Sequence, residues 1–506
     1  MKKKYVLAVD QSTQGTKAVL FDIKGNLVCR TDLLHKQIIN EKGWVSHDLN
    51  EIYENTIQVV KNLVEKSGIH KDEIACLGIS NQRETSAAWN RRTGEALAPA
   101  IVWQCSRAED ICERIKNNVM IEPKKEQGEY GNVAEIIRHK TGIQLSSYFP
   151  AAKFAWLIEN IAEVKQAKAD NNLCLGTIDT WLLFRLTHGL VYATDYSNAS
   201  RTQLFNINTL DWDAEICTWF GVDRSMLPTV HDSGFSYGVT DFEGYFQTPI
   251  PICGIVGDSQ GALFGQGCVE PGMVKVTYGT GSSVMMNVGE KPVESNLGLV
   301  TSLAWGINGK VSYVLEGNIN YSGAVITWLK DEMGLIASAG ETQELAFAAN
   351  KNDTTYLVPA FSGLGAPYWK ATAKAIMYGM SRVTGKREVI KAALESIAYQ
   401  VTDVIEMMKT EGGFEIKELC ADGGATKNQY LMKYQSDILG VKVSLPRCEE
   451  SSALGAALMA GLHDGIYSED VFKGRANRIH FTCSMSRKER EQKYSGWKEA
   501  LNKALK

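Results

Sequence analysis

The chain has 506 residues, about three times the usual length of a single domain, which leaves room for two or three folding units. Hydrophobic residues make up 44% of it and charged residues 22%, proportions that exclude a disordered or collagen-like chain. The 54 basic and 58 acidic side chains nearly cancel to a net charge of −4, so we expect neither nucleic acid nor an anionic membrane as a partner.

The sequence predicts neither a secretion signal nor a membrane span. Residues 5–9 are apolar and follow three lysines, but Asp10 ends this run before it is long enough for a signal core. The apolar stretch 453–462 stops at His463, well short of the ~20 residues that a membrane span needs. The eleven cysteines include no CxxC pair, so we predict reduced, mostly buried thiols in a cytoplasmic protein.

Two predicted hairpins occupy corresponding places in the two halves of the chain. Their strands are predicted at 5–9, 18–22, 274–277 and 283–287. The first tip, 11–16, is small and polar, and the second tip, 278–282, contains glycine and threonine. One design used twice would divide the chain near residue 265, so we expect an N-terminal domain at 1–265 and a C-terminal domain at 266–506.

The remaining elements alternate in type, which predicts an α/β or mixed α+β architecture. Strands are predicted at 75–79, 250–256 and 418–421, and helices at 386–411 and 428–439. The tip Asp422-Gly423-Gly424 would place a glycine pair at the N-terminus of the last of these helices. The polar segment 117–132 suits an exposed insertion, to which we assign no function.

Several nucleotide and hydrolase motifs are missing. The sequence contains no GxxxxGK[ST], HRD, DFG, HExxH or GxSxG, which argues against P-loop ATPases, protein kinases, zinc proteases and α/β-hydrolases. The segment Gly279-Thr280-Gly281 lacks the third glycine of a dinucleotide fingerprint. A Rossmann enzyme is therefore disfavoured.

The first tip combines groups that can bind phosphate. Its exposed backbone N–H groups and hydroxyls can donate to phosphate oxygens, and Lys17 can approach as a point charge. Asp10, ionised at the end of an apolar strand, would need a partner such as hydrated Mg²⁺. An ordinary hairpin, in which Asp10 and Thr13 cap the turn, remains the alternative.

Two further tips follow strands. Asp258 comes after the strand 250–256 and could accept the proton of an attacking hydroxyl, or it could merely cap a helix that begins near Gly261. Gly424 would let a base or a phosphate approach the backbone, although a plain strand-to-helix turn also favours Asp-Gly.

Arg83, Glu84 and Trp103 also follow predicted strands. A guanidinium, a carboxylate and an aromatic face suit a polyhydroxylated ligand, whose hydroxyls would bond the charged groups while its carbon chain lies on the indole. A solvated ion pair and a packed tryptophan would be the structural alternative.

Ordered motifs over nearly the whole length resemble the FGGY carbohydrate kinases, and the glycerol kinases within that family most. The matching segments are 43–48 (GWVSHD), 78–85 (GISNQRET), 101–105 (IVWQC), 194–202 (TDYSNASRT), 278–281 (YGTG), 359–369 (PAFSGLGAPYW) and 435–440 (QSDILG). Tyr148, Lys153 and Trp156 fit the spacing of a family signature.

The resemblance implies a fold of two actin-like, ribonuclease-H-like domains, with ATP and substrate meeting in the cleft between them. It assigns the first phosphate loop to Thr13, Gln14, Gly15 and Lys17 and the remaining nucleotide contacts to Thr280, Gly323, Thr327, Gly424 and Asn428. It assigns the polyol site to Arg83, Glu84, Trp103, Tyr148, Asp258, Ser259 and Gln260. Asp258 is the expected general base, and Asp10 and Asp258 are the expected Mg²⁺ carboxylates.

The implied activity is transfer of phosphate from ATP to a primary hydroxyl of a small polyol, with glycerol first. We expect a homo-oligomer, a dimer or a tetramer. Two serines depart from glycerol kinases: Ser259 stands where these have glutamine, and Ser283 where they have an aromatic residue. A larger, more polar pocket would favour a longer polyol or a ketose, of the tetritol, xylulose or ribulose type.

A rival of another class is an actin-like ATPase that uses nucleotide to change shape without phosphorylating a sugar. Arg83, Glu84, Trp103 and Asp258 argue against it, because such a switch needs no pocket for hydroxyl groups.

Overall fold

The structure is a computed structural model that describes residues 2–117, 132–446, 448–476 and 478–506. The predicted insertion at 117–132 lies outside the described residues except for Asn117 and Asn132. In the described part of the chain, no helix is both long and apolar enough to cross a membrane.

The described part of the chain contains twenty-four strands and fifteen α-helices. The strands are β1 (Tyr5–Gln11), β2 (Gly15–Asp22), β3 (Leu27–Leu34), β4 (Ile38–Ile39), β5 (Val45–His47), β6 (Ile74–Asn81), β7 (Ala87–Asn90), β8 (Ala100–Ile101), β9 (Leu173–Gly176), β10 (Ala193–Asp195), β11 (Phe205–Asn206), β12 (Asp211–Trp212), β13 (Thr229–His231), β14 (Gly234–Thr240), β15 (Ile250–Gly257), β16 (Val274–Tyr278), β17 (Ser282–Gly289), β18 (Val300–Ile307), β19 (Lys310–Ile319), β20 (Tyr356–Val358), β21 (Ile376–Tyr378), β22 (Glu418–Asp422), β23 (Lys442–Leu445) and β24 (Ile479–Phe481). The helices are α1 (Leu49–Ser67), α2 (Glu109–Lys116), α3 (Val133–Thr141), α4 (Pro150–Asn160), α5 (Ala162–Ala169), α6 (Ile178–Leu186), α7 (Tyr196–Ala199), α8 (Ala214–Trp219), α9 (Asp258–Gly265), α10 (Gly323–Asp331), α11 (Glu341–Phe347), α12 (Lys386–Gly412), α13 (Gln429–Leu439), α14 (Ser451–Asp464) and α15 (Arg487–Leu505).

One strand pattern occurs in both halves. In the first half the order is β3-β2-β1-β6-β15, with β1 antiparallel to β2 and parallel to β6. In the second half the order is β19-β17-β16-β22-β23, with β16 antiparallel to β17 and parallel to β22. Both predicted hairpins are confirmed, each longer than predicted because the strands continue into the tips.

β14 joins the two halves into one thirteen-stranded sheet. It pairs antiparallel with β15 and, through Gly234 and Ile307, parallel with β18. The connection between α9 and β16 contains the expected division near residue 265, and the limits of the two domains stay a prediction.

The apolar stretch 453–462 lies within a buried helix. α14 belongs to the second half of the chain but packs on α9, β1, β6 and β15 of the first half. This approach depends on glycine, since a Cβ at Gly455 would collide with the carbonyl of Gly261, and a Cβ at Gly78 with that of Ala456. These close backbone contacts hold α9 and β6 of the first half against α14 of the second half.

The long helix 386–411 is confirmed as α12. Glu388 caps its start by accepting the N–H of Gly385 at 2.9 Å, and Gly413, in the left-handed region at φ 71°, ends it. Ala393, Ile397 and Val401, which repeat at helical spacing, are fully buried.

One predicted helix start is wrong, and the glycine pair 423–424 does not lie at the N-terminus of α13 as predicted. The helix after β15 begins at Asp258 itself, so Asp258 does not cap a helix that begins near Gly261. The glycine pair 423–424 leads into a short 3₁₀ turn, and α13 begins at Gln429, one residue from the predicted start, with the Asn428 side chain accepting the N–H of Leu431 at 3.0 Å. The cap by Asn428 therefore sets the start of α13 several residues after the tip 422–424.

Candidate active site

Two carboxylates lie at the edge of the sheet where parallel strands of the first half end. Asp10 is near the end of β1, and Asp258 directly follows β15. Since both strands run parallel to β6, their carboxyl ends share one edge. Asp10 is only 5% exposed, whereas the Asp258 side chain is 37% exposed. Asp258 is thus accessible to a ligand, while Asp10 is enclosed by protein.

Burial dominates the ionisation of Asp10. It raises the pKa of this carboxyl to about 6, against the opposing effect of Lys17 Nζ, 3.8 Å from Oδ2, and of Ser80, whose Oγ donates to Oδ1 at 2.8 Å. The negative charge of Asp258 raises the pKa further. A bound cation held by Asp10 would favour its ionised form and so oppose both effects.

The donor set suits a hard cation that retains other oxygen ligands. Among the described residues, no group of three or more His, Cys, Asp or Glu side chains could hold a metal ion. Mg²⁺ is commonly held by one or two carboxylates, with water and phosphate oxygens as its remaining ligands. Asp10 and Asp258 fit this pattern.

The first tip forms a tight, partly exposed loop. Ser12 donates its N–H to the Gly15 carbonyl at 2.8 Å, Thr13 is half-buried and Gln14 is exposed. A Cβ at Gly15 would lie 2.5 Å from the Leu33 carbonyl oxygen, so only glycine fits there. The indole Nε1 of Trp103 donates to Thr13 Oγ1 at 3.0 Å, which ties the loop to a predicted polyol residue.

Lys17 has a partner that the sequence did not reveal. Its Nζ donates to Glu450 Oε2 at 2.9 Å, and Arg30 also donates to Glu450. Glu450 immediately precedes α14, in the second half of the chain, and is 6% exposed. Lys17 therefore links the two halves beside the first tip, and its charge is already partly balanced.

Arg83 and Glu84 follow β6 in a strained turn. Glu84 has φ 61°, in the left-handed region that non-glycine residues rarely adopt, and Thr85 donates its N–H to the Arg83 carbonyl at 2.8 Å. Arg83 Nε lies 3.3 Å from Asp258 Oδ1. The turn thus brings the predicted polyol donor against the predicted base.

A buried charge network holds this turn. Glu316 on β19 is fully buried and accepts from both terminal nitrogens of Arg83, at 3.0 and 2.8 Å, and from Arg201 Nη1 at 2.8 Å. Arg201 Nε in turn donates to Glu84 Oε1 at 2.5 Å. Burial alone would raise the pKa of Glu316, but Arg201 and Arg83 hold it well below its usual range.

Glu316 and Arg201 were not predicted as site residues. Arg201 stands in a segment that carries the resemblance, but its sequence context does not show which carboxylates it contacts. The sequence does offer one indication for Glu316, because it is the single acidic residue in the otherwise apolar run 314–317. A charge buried in such a strand requires a partner of opposite charge.

The other predicted polyol residues divide into two groups. Trp103 and Tyr148 are half-buried, and their rings are in contact at a tilted angle with centroids 5.5 Å apart. Ser259 donates its N–H to Asp258 Oδ1 at 2.6 Å and its hydroxyl to the same atom at 3.2 Å. Gln260 is fully buried, and its amide oxygen accepts from Arg83 at 3.3 Å, so it lies behind Arg83.

All five residues expected to complete the nucleotide site line one cavity of about 710 Å³ in the second half. These are Thr280, Gly323, Thr327, Gly424 and Asn428. Ile326, Leu394 and Leu431 supply apolar surface to the same cavity, which has the size and mixed polarity of a small-ligand pocket. Ser283, on β17, donates to Glu316 Oε1 at 3.4 Å, so the hairpin that bears Thr280 also reaches the charge network.

The chain matches two family models in succession. The N-terminal domain of the FGGY family of carbohydrate kinases matches residues 5–265, and the C-terminal domain of the same family matches residues 274–463. The chain belongs to the FGGY family of carbohydrate kinases. The family resemblance carried by the motifs is thereby confirmed, and ATP is the phosphoryl donor that a kinase of this family uses.

Named relatives of this FGGY kinase cover its whole length. It is 45% identical over 504 residues to glycerol kinase 2 of Thermotoga maritima, covering 99% of each chain, and 43% identical over 507 residues to glycerol kinase of Brevibacillus brevis, covering 100% of this chain and 99% of the relative. Among solved structures it is similar to Plasmodium falciparum glycerol kinase with ADP, at 35% identity and a TM-score of 0.91, covering 100% and 99% of the two chains. A ligand-bound xylulose kinase from Lactobacillus acidophilus, at 21% identity, TM-score 0.84 and 99% and 98% coverage, shares the fold. The expected actin-like, two-domain fold is confirmed.

Proposed function

We propose that this FGGY kinase transfers the γ-phosphate of ATP to a primary hydroxyl of glycerol. The observation that carries the proposal is the 3.3 Å contact between Arg83 and Asp258, in which a guanidinium that can donate to hydroxyl groups lies against an accessible carboxylate. Full-length similarity to proteins named glycerol kinase supports the same substrate. The homo-oligomeric state stays a prediction.

Asp258 is the proposed general base. Arg83 Nε and the N–H of Ser259 contact its Oδ1, which leaves Oδ2 for the substrate. As the primary hydroxyl loses its proton to Asp258, its oxygen forms a bond to the γ-phosphorus, and the bond from that phosphorus to the bridging oxygen breaks, releasing ADP.

Arg83 and Glu84 are proposed to bind the remaining hydroxyls, while Trp103 and Tyr148 form an aromatic wall against which the carbon chain lies. The exposed donors of the first tip and Lys17 are proposed to approach the phosphates. Asp10 and Asp258 would hold Mg²⁺, which supplies neutralising charge for the phosphates when bound. Glu450 competes with the nucleotide for Lys17, so Lys17 must exchange partners or share its donors when phosphate arrives.

The substrate preference of the enzyme tests whether the natural serines Ser259 and Ser283 enlarge the pocket for a longer substrate. Ser259 and Ser283 both donate to protein carboxylates, so their hydroxyls do not stand free in the pocket. We expect kcat/KM for glycerol to exceed the values for erythritol, threitol, xylulose and ribulose by about tenfold or more, measured by coupled ADP release.

The same assay separates the rival functions. A higher kcat/KM for a four- or five-carbon substrate would replace glycerol by the longer polyol or ketose, and Ser283→Phe should then restore preference for glycerol. ADP release that does not depend on any polyol or ketose would favour the ATPase switch.

The nucleotide cavity can be blocked at one backbone position. A Cβ at Gly424 would meet no atom within 4 Å and the residue does not require a positive φ, so Gly424→Val adds bulk to open space that the cavity includes. We expect KM for ATP to rise about tenfold or more, with KM for glycerol and Tm little changed. An unchanged KM for ATP would show that the nucleotide does not pass over Gly424.

A further inference from the structure

A fully buried lysine lies behind the two aromatic residues of the proposed polyol pocket. Lys153 belongs to α4 and has no exposed surface. Its Nζ donates to the Trp103 carbonyl at 3.1 Å and to the Tyr148 carbonyl. Lysine is rarely buried to this extent, so its position calls for an explanation beyond core packing.

The two hydrogen bonds do not require a positive charge. Burial lowers the pKa of Lys153 to about 7, against the opposing effect of the Glu84 charge. A neutral amine still carries two N–H donors, one for each carbonyl. The link between the two carbonyls therefore persists in either protonation state.

The two carbonyls belong to two separate segments of the chain. Trp103 follows β8, whereas Tyr148 precedes α4, and their rings lie 5.5 Å apart between centroids. Trp103 also donates to Thr13 of the first tip. One amine thus connects both aromatic residues, and through Trp103 it connects them to the proposed phosphate loop.

We propose that Lys153 is a positioning residue that sets the relative position of Trp103 and Tyr148, and thereby the shape of the aromatic wall against which the polyol lies. The inference rests on the proposed function, because it concerns the same pocket. If Lys153 only fills the core, its loss should lower stability without a selective effect on the polyol.

The test compares two substitutions with a control on the same helix. Lys153→Met keeps the aliphatic stem but removes both donors, and Lys153→Gln has a shorter chain whose amide can reach at most one carbonyl. Phe154→Leu perturbs a neighbouring, fully buried side chain of the hydrophobic core. Each protein is assayed for Tm, KM for glycerol and KM for ATP.

We expect the ratio of KM for glycerol to KM for ATP to rise about tenfold in Lys153→Met and about threefold in Lys153→Gln. The selectivity for glycerol over erythritol should fall in the same order, and Phe154→Leu should lower Tm with both quantities within about twofold of the parent.

If the ratio of KM for glycerol to KM for ATP in Lys153→Met stays within about twofold of the parent value, the inference is overturned. If Lys153→Met does not fold, the same ratio in Lys153→Gln decides by the same criterion. Failure of the proposed function is distinguishable, since the parent enzyme itself would then release no glycerol-dependent ADP.

Discussion

Replacing Asp258 with asparagine should slow phosphoryl transfer about a thousandfold while glycerol still binds. An amide cannot accept the hydroxyl proton, but it has nearly the same shape and keeps an oxygen for the N–H of Ser259. Single-turnover transfer from γ-labelled ATP measures the chemical step, and calorimetric titration with glycerol measures binding separately. The loss should therefore appear in the chemical step.

Ser259→Ala is the matched control for this substitution. It removes the hydroxyl that donates to Asp258 at 3.2 Å but keeps the backbone N–H that donates at 2.6 Å, so the carboxylate stays in place. We expect transfer within about fivefold of the parent rate. Near-normal transfer by Asp258→Asn would exclude Asp258 as the base, and an equal loss in both variants would show that the orientation of the carboxylate, not its basicity, limits the rate.

Local sequence patterns were sufficient to predict the repeated framework of the fold. Both hairpins and the helix α12 depend on hydrophobic period and on glycine at turns, which neighbouring residues determine. The tips that carry Thr13 and Thr280 could be placed for the same reason. The start of α9 and the short turn between the glycine pair 423–424 and α13 were less predictable, because a side-chain cap such as that of Asn428 decides a boundary by a single hydrogen bond.

The partners of charged residues could not be predicted from local pattern. Arg83 and Glu316 are separated by 233 positions, and Lys17 and Glu450 by 433. Such pairs form only when the two halves share one sheet and α14 packs on the first half. Lys153 likewise fits a family signature, but the signature does not show that its two hydrogen-bond acceptors belong to separate segments.

Replacing Glu316 with glutamine should destabilise the fold by about 3–5 kcal/mol and weaken glycerol binding strongly. The substitution leaves the buried guanidiniums of Arg83 and Arg201 without the carboxylate that lies between them, and one amide oxygen cannot accept all three hydrogen bonds. Arg83 would then be free to turn away from Asp258. Urea unfolding measures stability, and calorimetric titration measures glycerol binding.

An exposed pair provides the matched control. Glu491→Gln makes the same chemical change in the ion pair of Glu491 with Arg487. The side chain of Glu491 is 61% exposed and that of Arg487 is 83% exposed, so we expect a loss of folding stability below about 1 kcal/mol. A loss of similar size for Glu316→Gln would mean that water or a relaxed arrangement replaces the carboxylate.

The pH dependence of the Glu316→Gln effect gives an independent check. Because the pKa of Glu316 is lowered in the folded state, its ionisation stabilises the fold fully above the ordinary value of 4.5, and this contribution is lost as the pH falls toward the lower folded value. The stability difference between parent and variant should therefore shrink below pH 4.5. If the stability difference between parent and variant stays constant below pH 4.5, the lost stability would come from changed packing. The carboxylate charge would then not be what holds Arg83 against Asp258.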